Sequence, residues 1–133
     1  GEFPSGKIAW GGLGHGAFLS GRPIRVSATA NKEQAVICSG FPSRFEFSDA
    51  GISWIASTLA PYAKVRMLGA ASLSLLHVAK GAADAYAERD IMIWDVAAGL
   101  AIVEGAGGEF TITKGSYINT LNVFATNGLI KDC

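Results

Sequence analysis

Apolar residues in this chain fall in short runs broken by glycine, proline and charge, and the spacing within each run predicts an element. KIAWGG (7–12), LGHG (13–16) and AFLSGRPIRVS (17–27) read as two short strands joined by a glycine-rich turn. Pro23 fits an edge position or a strand start, where its missing N–H costs no ladder bond. The run AVICSG (35–40) is apolar without alternation and reads as a buried strand, ended by Gly40-Phe41-Pro42. Ser48 and Asp49 are candidate caps for a helix carrying Ile52, Ile55 and Leu59, which Pro61 closes. A short strand over Lys64 to Leu68 precedes a helix in AASLSLLHVAK (70–80), with Gly81 at its C-terminal cap. Ala82 to Glu88 reads as a strand. Trp94 to about Ala106 is apolar on nearly every side, which predicts a buried helix. EFTIT and LNVFAT supply the last two strands. Strands and helices alternate from residue 35 onward, so the pattern predicts an α/β fold, a mixed sheet flanked by helices.

The 133 residues fit one domain or one lobe of a larger one, and 50% of them are hydrophobic, enough for a core. Lys plus Arg equals Asp plus Glu, at 11 each, with no basic stripe. Bulk attraction to nucleic acid or an anionic membrane is therefore not expected. No apolar run reaches the ~20 residues of a membrane span, and no signal peptide is evident. Cys38 and Cys133 make no disulfide framework, so a reduced, cytoplasmic protein is the expectation.

Several motifs dissolve on inspection. GEFPSGK (1–7) nearly spells a phosphate-binding loop, but Ile8 stands where Ser or Thr is required. Gly12, Gly14 and Gly16 lack the dinucleotide spacing and read as turn glycines. His15 and His77 are isolated, which gives zinc little support, and His77 reads as an ordinary helix residue. The informative stretch runs from Arg66 to Gly108. Asp95 opens a helix: it either caps and complements the dipole or ligates a hard cation such as Mg²⁺. Glu88 is either a solvated strand end or a functional carboxylate. Gly69, Ala70 and Ala71 open a helix with small residues, which lets a ligand approach the backbone or simply permits tight packing.

Five segments in order resemble the inositol monophosphatase family. Trp94-Asp95-Val96-Ala97-Ala98-Gly99, continuing to Glu104-Gly105-Ala106-Gly107-Gly108, resembles its second signature, W-D-x-A-A/G-G with a helix ending in E-A-G-G. Gly16 to Ile24 resembles its G-A-F-x-N-G-x-x-I hairpin, with Ser20 where Asn is usual. Ser39-Gly40-Phe41-Pro42 resembles T-G-F-P, Arg66 to Ala71 resembles R-x-x-G-S/T-A-A, and Ala82 to Glu88 resembles G-x-x-D-A-Y-x-E. The resemblance implies a Mg²⁺-dependent phosphomonoesterase acting on an inositol, sugar or polyol phosphate through metal-activated water. It implies that Asp95 is the catalytic metal ligand, that Glu88 accepts hydrogen bonds from substrate hydroxyls, and that Gly69, Ala70 and Ala71 line the substrate alcohol.

The family's first signature, D-P-x-D-G-T, and its Glu-Glu pair do not occur here. The resemblance therefore implies the carboxy-terminal lobe of a layered αβαβα sandwich: residues 1–30 a hairpin from the end of the amino-terminal lobe, residues 31–133 the α/β lobe. One carboxylate cannot hold a Mg²⁺ pair, so this chain alone is expected to be inactive, with a missing half or another chain completing the site. An uncovered apolar face then predicts aggregation or a homodimer. The alternative is a non-catalytic homologue serving as an assembly or binding module.

Overall fold

The computed structural model describes residues 5–41 and 45–131. Gly1 to Pro4 of the phosphate-loop-like segment, Pro42 and Cys133 lie outside the described residues. The chain opens with strands β1 (Ala9–Gly12), β2 (Gly16–Leu19) and β3 (Arg22–Pro23), forming an antiparallel sheet in that order. Two strands were expected; the third is two residues long and carries Pro23 on the sheet edge. Gly14 and Gly16 have φ of 79° and 75°, as turn glycines should.

The main sheet contains β4 (Val36–Ser39), β5 (Lys64–Arg66), β6 (Ala85–Met92), β7 (Glu109–Lys114) and β8 (Thr120–Thr126), in the order β5-β4-β6-β8-β7. β4 pairs in parallel with β5 and β6, whereas β6, β8 and β7 are antiparallel neighbours. Helix α1 (Asp49–Leu59) links β4 to β5, and α2 (Ala71–Ala79) carries the chain from β5 past β4 to β6. Because the two crossovers run in opposite directions across the sheet, a common handedness places their helices on opposite faces. Helix α3 (Ile93–Gly105) then packs beside α2.

Strand alternation divides the core accordingly. Tyr86, Cys38, Val123 and Ala125 face Leu75, Val78, Val96, Leu100 and Val103 of α2 and α3. Ala85, Ala87 and Ile37 point the other way, toward Leu59 of α1, Tyr62 and Ile130. Each fully buried Val, Leu or Ile side chain of these clusters stabilises the fold by about 1.5–3 kcal/mol. The hairpin sheet docks on the end of α3 backbone to backbone: a Cβ on Gly105 would lie 2.3 Å from the Gly16 carbonyl oxygen. Asp84 ties the following segment to the sheet, accepting from the Ser27 hydroxyl and from the Val36 N–H at 2.7 Å.

Two expectations require correction. The strand predicted to stop at Glu88 runs on to Met92, because β8 pairs with it on both sides of an irregularity after Glu88. Glu88 is therefore not a solvated strand end; it is 6% exposed. Nor is α3 buried all round. Val96, Gly99, Leu100 and Val103 face the core, while Trp94 is 65% exposed and Asp95, Ala97 and Ala98 are also exposed.

Candidate functional site

The parallel strands β4 and β5 send their following helices to opposite faces, and the carboxyl ends of such strands frame a crevice. A cavity of about 390 Å³ lies there. Its walls contain Ser39, Gly40 and Phe41 from the end of β4, Gly69, Ala70 and Ala71 from the loop after β5, Glu88 from β6, and Trp94 and Asp95 from α3. All five residues singled out in the sequence, Glu88, Asp95, Gly69, Ala70 and Ala71, thus line one cavity.

Local chemistry explains each position. Gly69 has φ of 81° and turns the chain out of β5 into α2. The N-caps of α2 and α3 are Ala70 and Met92, and neither supplies a side-chain capping bond. By contrast α1 is capped by Ser48, whose hydroxyl accepts from the Gly51 N–H at 3.3 Å. The two helices whose amino ends border the cavity therefore keep N–H groups available to an anionic or oxygen-rich ligand. Asp95, in the first turn of α3, complements that helix's dipole.

Glu88 faces the cavity by strand alternation, and a break in strand register follows it. Glu88 pairs with Val123 and Ile91 with Leu121, so β6 carries one extra residue between them. Asp90 absorbs the bulge at φ of 56°; its N–H donates to Asn122 Oδ1 at 3.1 Å and its Oδ1 accepts from the Ser116 N–H at 2.6 Å. In a regular strand Glu88 and Ile91 would face opposite sides; the bulge puts both against the cavity. Burial pushes the Glu88 carboxyl above its ordinary range, the Asp95 carboxylate pushes in the same direction, and the Tyr86 hydrogen bond opposes both. Tyr86 is raised as well, by its own burial first and by Glu88 second. Of these features, only the alternation placing Tyr86 on the Glu88 face was available in the sequence; Ile91 and the bulge were missed, because a bulge is defined by the partner strand.

The chain is similar to known phosphatases. The sequence profile described as Inositol monophosphatase family matches residues 2–132. The chain belongs to the inositol monophosphatase family. A Thermotoga maritima fructose-1,6-bisphosphatase/inositol-1-monophosphatase is 37% identical over 121 residues, covering 90% of this chain and 45% of that protein. The Nus factor SuhB of Pseudomonas aeruginosa is 39% identical over 107 residues, 78% of this chain and 40% of that protein. The inositol monophosphatase structure from Anabaena (Nostoc) superposes with a TM-score of 0.81 at 35% identity, over 92% of this chain and 50% of that one. The chain spans about half the length of these relatives and matches the carboxy-terminal half of the solved structures. No helix among the described residues is long and apolar enough to cross a membrane.

The residues present do not by themselves fit a Mg²⁺ centre. Among the described residues no three His, Cys, Asp or Glu side chains converge as a metal site would need. Asp95 offers one carboxylate, and Glu88 is engaged by Tyr86.

Proposed function

We propose that this chain is the substrate-side half of a Mg²⁺-dependent phosphomonoesterase acting on inositol monophosphate or a related sugar or polyol phosphate. The observation that carries this reading is the convergence of Glu88, Asp95 and two uncapped helix amino ends on one cavity. Asp95 is the catalytic metal-ligating residue contributed by this chain; the remaining ligands come from a missing amino-terminal half or another chain. Glu88 accepts a hydrogen bond from a substrate hydroxyl, and Gly69, Ala70 and Ala71 let the substrate alcohol approach the backbone. Residues 1–30 belong with the amino-terminal lobe and 31–133 form the carboxy-terminal one. Exposed Trp10, Leu13 and Trp94 support burial against that missing half or, as a homodimer, against a second copy. A monomeric peak in light scattering at high concentration counts against such association for this chain. The balanced charge and reduced Cys38 accord with a cytoplasmic protein.

The test is Mg²⁺-dependent phosphate release from inositol monophosphate, fructose 1,6-bisphosphate, histidinol phosphate and adenosine 3′,5′-bisphosphate. It is run on this chain and on its gene's full-length product, each with Asp95→Asn alongside. The expected result is no release by this chain, release by the full-length product, and at least 100-fold loss with Asp95→Asn (~2.7 kcal/mol). A second reading, a non-catalytic assembly or binding module, is supported by the relative whose printed name is that of a Nus factor. Absence of release from every ester by both proteins would favour it.

A further inference from the structure

Glu88 is held by more than its backbone. Tyr86, two residues earlier on the same face of β6, is 0% exposed and packs among Cys38, Leu75, Val96 and Leu100. Its hydroxyl donates to Glu88 Oε1 at 3.0 Å. Gly40 closes over the same oxygen: a Cβ there would stand 2.6 Å from Oε1 but 3.8 Å from Oε2. Oε1 is thus enclosed by a hydroxyl on one side and bare backbone on the other. Oε2 has no donor among the described residues and is left for the cavity.

We propose that Tyr86 is a positioning residue for Glu88, and that with Gly40 it makes Glu88 a one-oxygen acceptor selecting polyol phosphates by the hydroxyls within reach of Oε2. This deepens the reading of Glu88 given above and rests on it. A carboxylate free to turn accepts from two neighbouring hydroxyls, or from either of two, and discriminates poorly. With Oε1 occupied, only hydroxyls that reach Oε2 are read. The hydroxyl of a phenol locked in a packed core also suits this task better than a surface side chain, because its rotamer is set by the neighbours of its ring.

The experiment uses the full-length product and compares a polyol phosphate with phenyl phosphate, whose leaving group has no hydroxyl to read. Tyr86→Phe is expected to raise KM for the polyol ester about tenfold while leaving kcat/KM for phenyl phosphate within about twofold. In a Glu88→Ala background Tyr86→Phe should add nothing to the polyol KM, as a purely structural role would not predict. Gly40→Ala, whose Cβ would stand 2.6 Å from Oε1, should raise the polyol KM as well. Equal loss on both esters, or additivity with Glu88→Ala, overturns the proposal. A direct readout separates its failure from that of the enzymatic reading. In ¹³C-labelled protein, with Tyr86 and Asp95 as the ionisable neighbours of Glu88, Tyr86→Phe should move the Glu88 carboxyl titration upward, whether or not any ester is hydrolysed. An unmoved titration overturns the proposal even if the protein is a phosphatase.

Discussion

Replacing Glu88 by Gln is expected to stabilise this chain at neutral pH while removing the acceptor its cavity is built around. The carboxylate is 6% exposed and receives one hydrogen bond, from Tyr86 at 3.0 Å. A hydrogen bond to a charged group contributes about 1.5–3 kcal/mol, yet the Glu88 carboxyl remains raised, so desolvation outweighs it. Gln keeps a carbonyl oxygen for the Tyr86 hydroxyl and discards the charge. The expected gain is about 0.5–2 kcal/mol, the usual range for a single stabilising substitution. At roughly 3–4 °C per kcal/mol for a domain of this size, that is a rise in Tm of about 1.5–8 °C. Because the folded carboxyl is raised, its contribution to stability is fully present below the ordinary value of 4.5 and is lost as pH rises through the folded value. The advantage of Glu88→Gln should therefore be absent below that ordinary value, open above it, and level off once Glu88 is ionised. Thermal unfolding of both proteins across this pH range, at one protein concentration, measures it. A lower Tm for Glu88→Gln at neutral pH, or a gap that persists in acid, would refute the reasoning.

Other expectations concern packing and turns. Leu75 is 0% exposed, and its Cδ1 would lie 2.6 Å from a Cβ on Gly99, so α2 and α3 meet side chain against bare backbone. Leu75→Ala should cost about 2–5 kcal/mol and Gly99→Ala about 1–3 kcal/mol. The double variant should cost less than their sum, because the new methyl fills part of the void; additive costs in urea unfolding argue against this contact. Ser20 and Gly21 have φ of 50° and 80° between the paired Leu19 and Arg22, a two-residue turn that favours Asn-Gly. Ser20→Asn should stabilise by a few tenths to about 1 kcal/mol, read as a higher urea midpoint with unchanged slope. Asp95→Asn, exposed at the cavity rim, should leave the Tm of this chain within about 2 °C; a large drop would make it structural instead.

Much of this protein was legible in its residues taken in order. The apolar run around Ile37 and Cys38, the Ser48 cap, Gly81 past the end of α2 and the turn glycines are local signals, decided by backbone conformation and by neighbours within a few positions. The family resemblance, carried by spaced motifs, also named the five residues that share the cavity. Where Glu88 sits was a tertiary decision. Its burial depends on pairing with β8 and its hydrogen bond on the packing of the Tyr86 ring, while the bulge at Asp90 turns Ile91 onto the same cavity. The exposure of Trp94 was likewise invisible locally, since an all-apolar helix does not say which of its sides finds a neighbour. Local conformation is set by adjacent residues, whereas the environment of a carboxylate is set by whatever distant strand or helix folds against it.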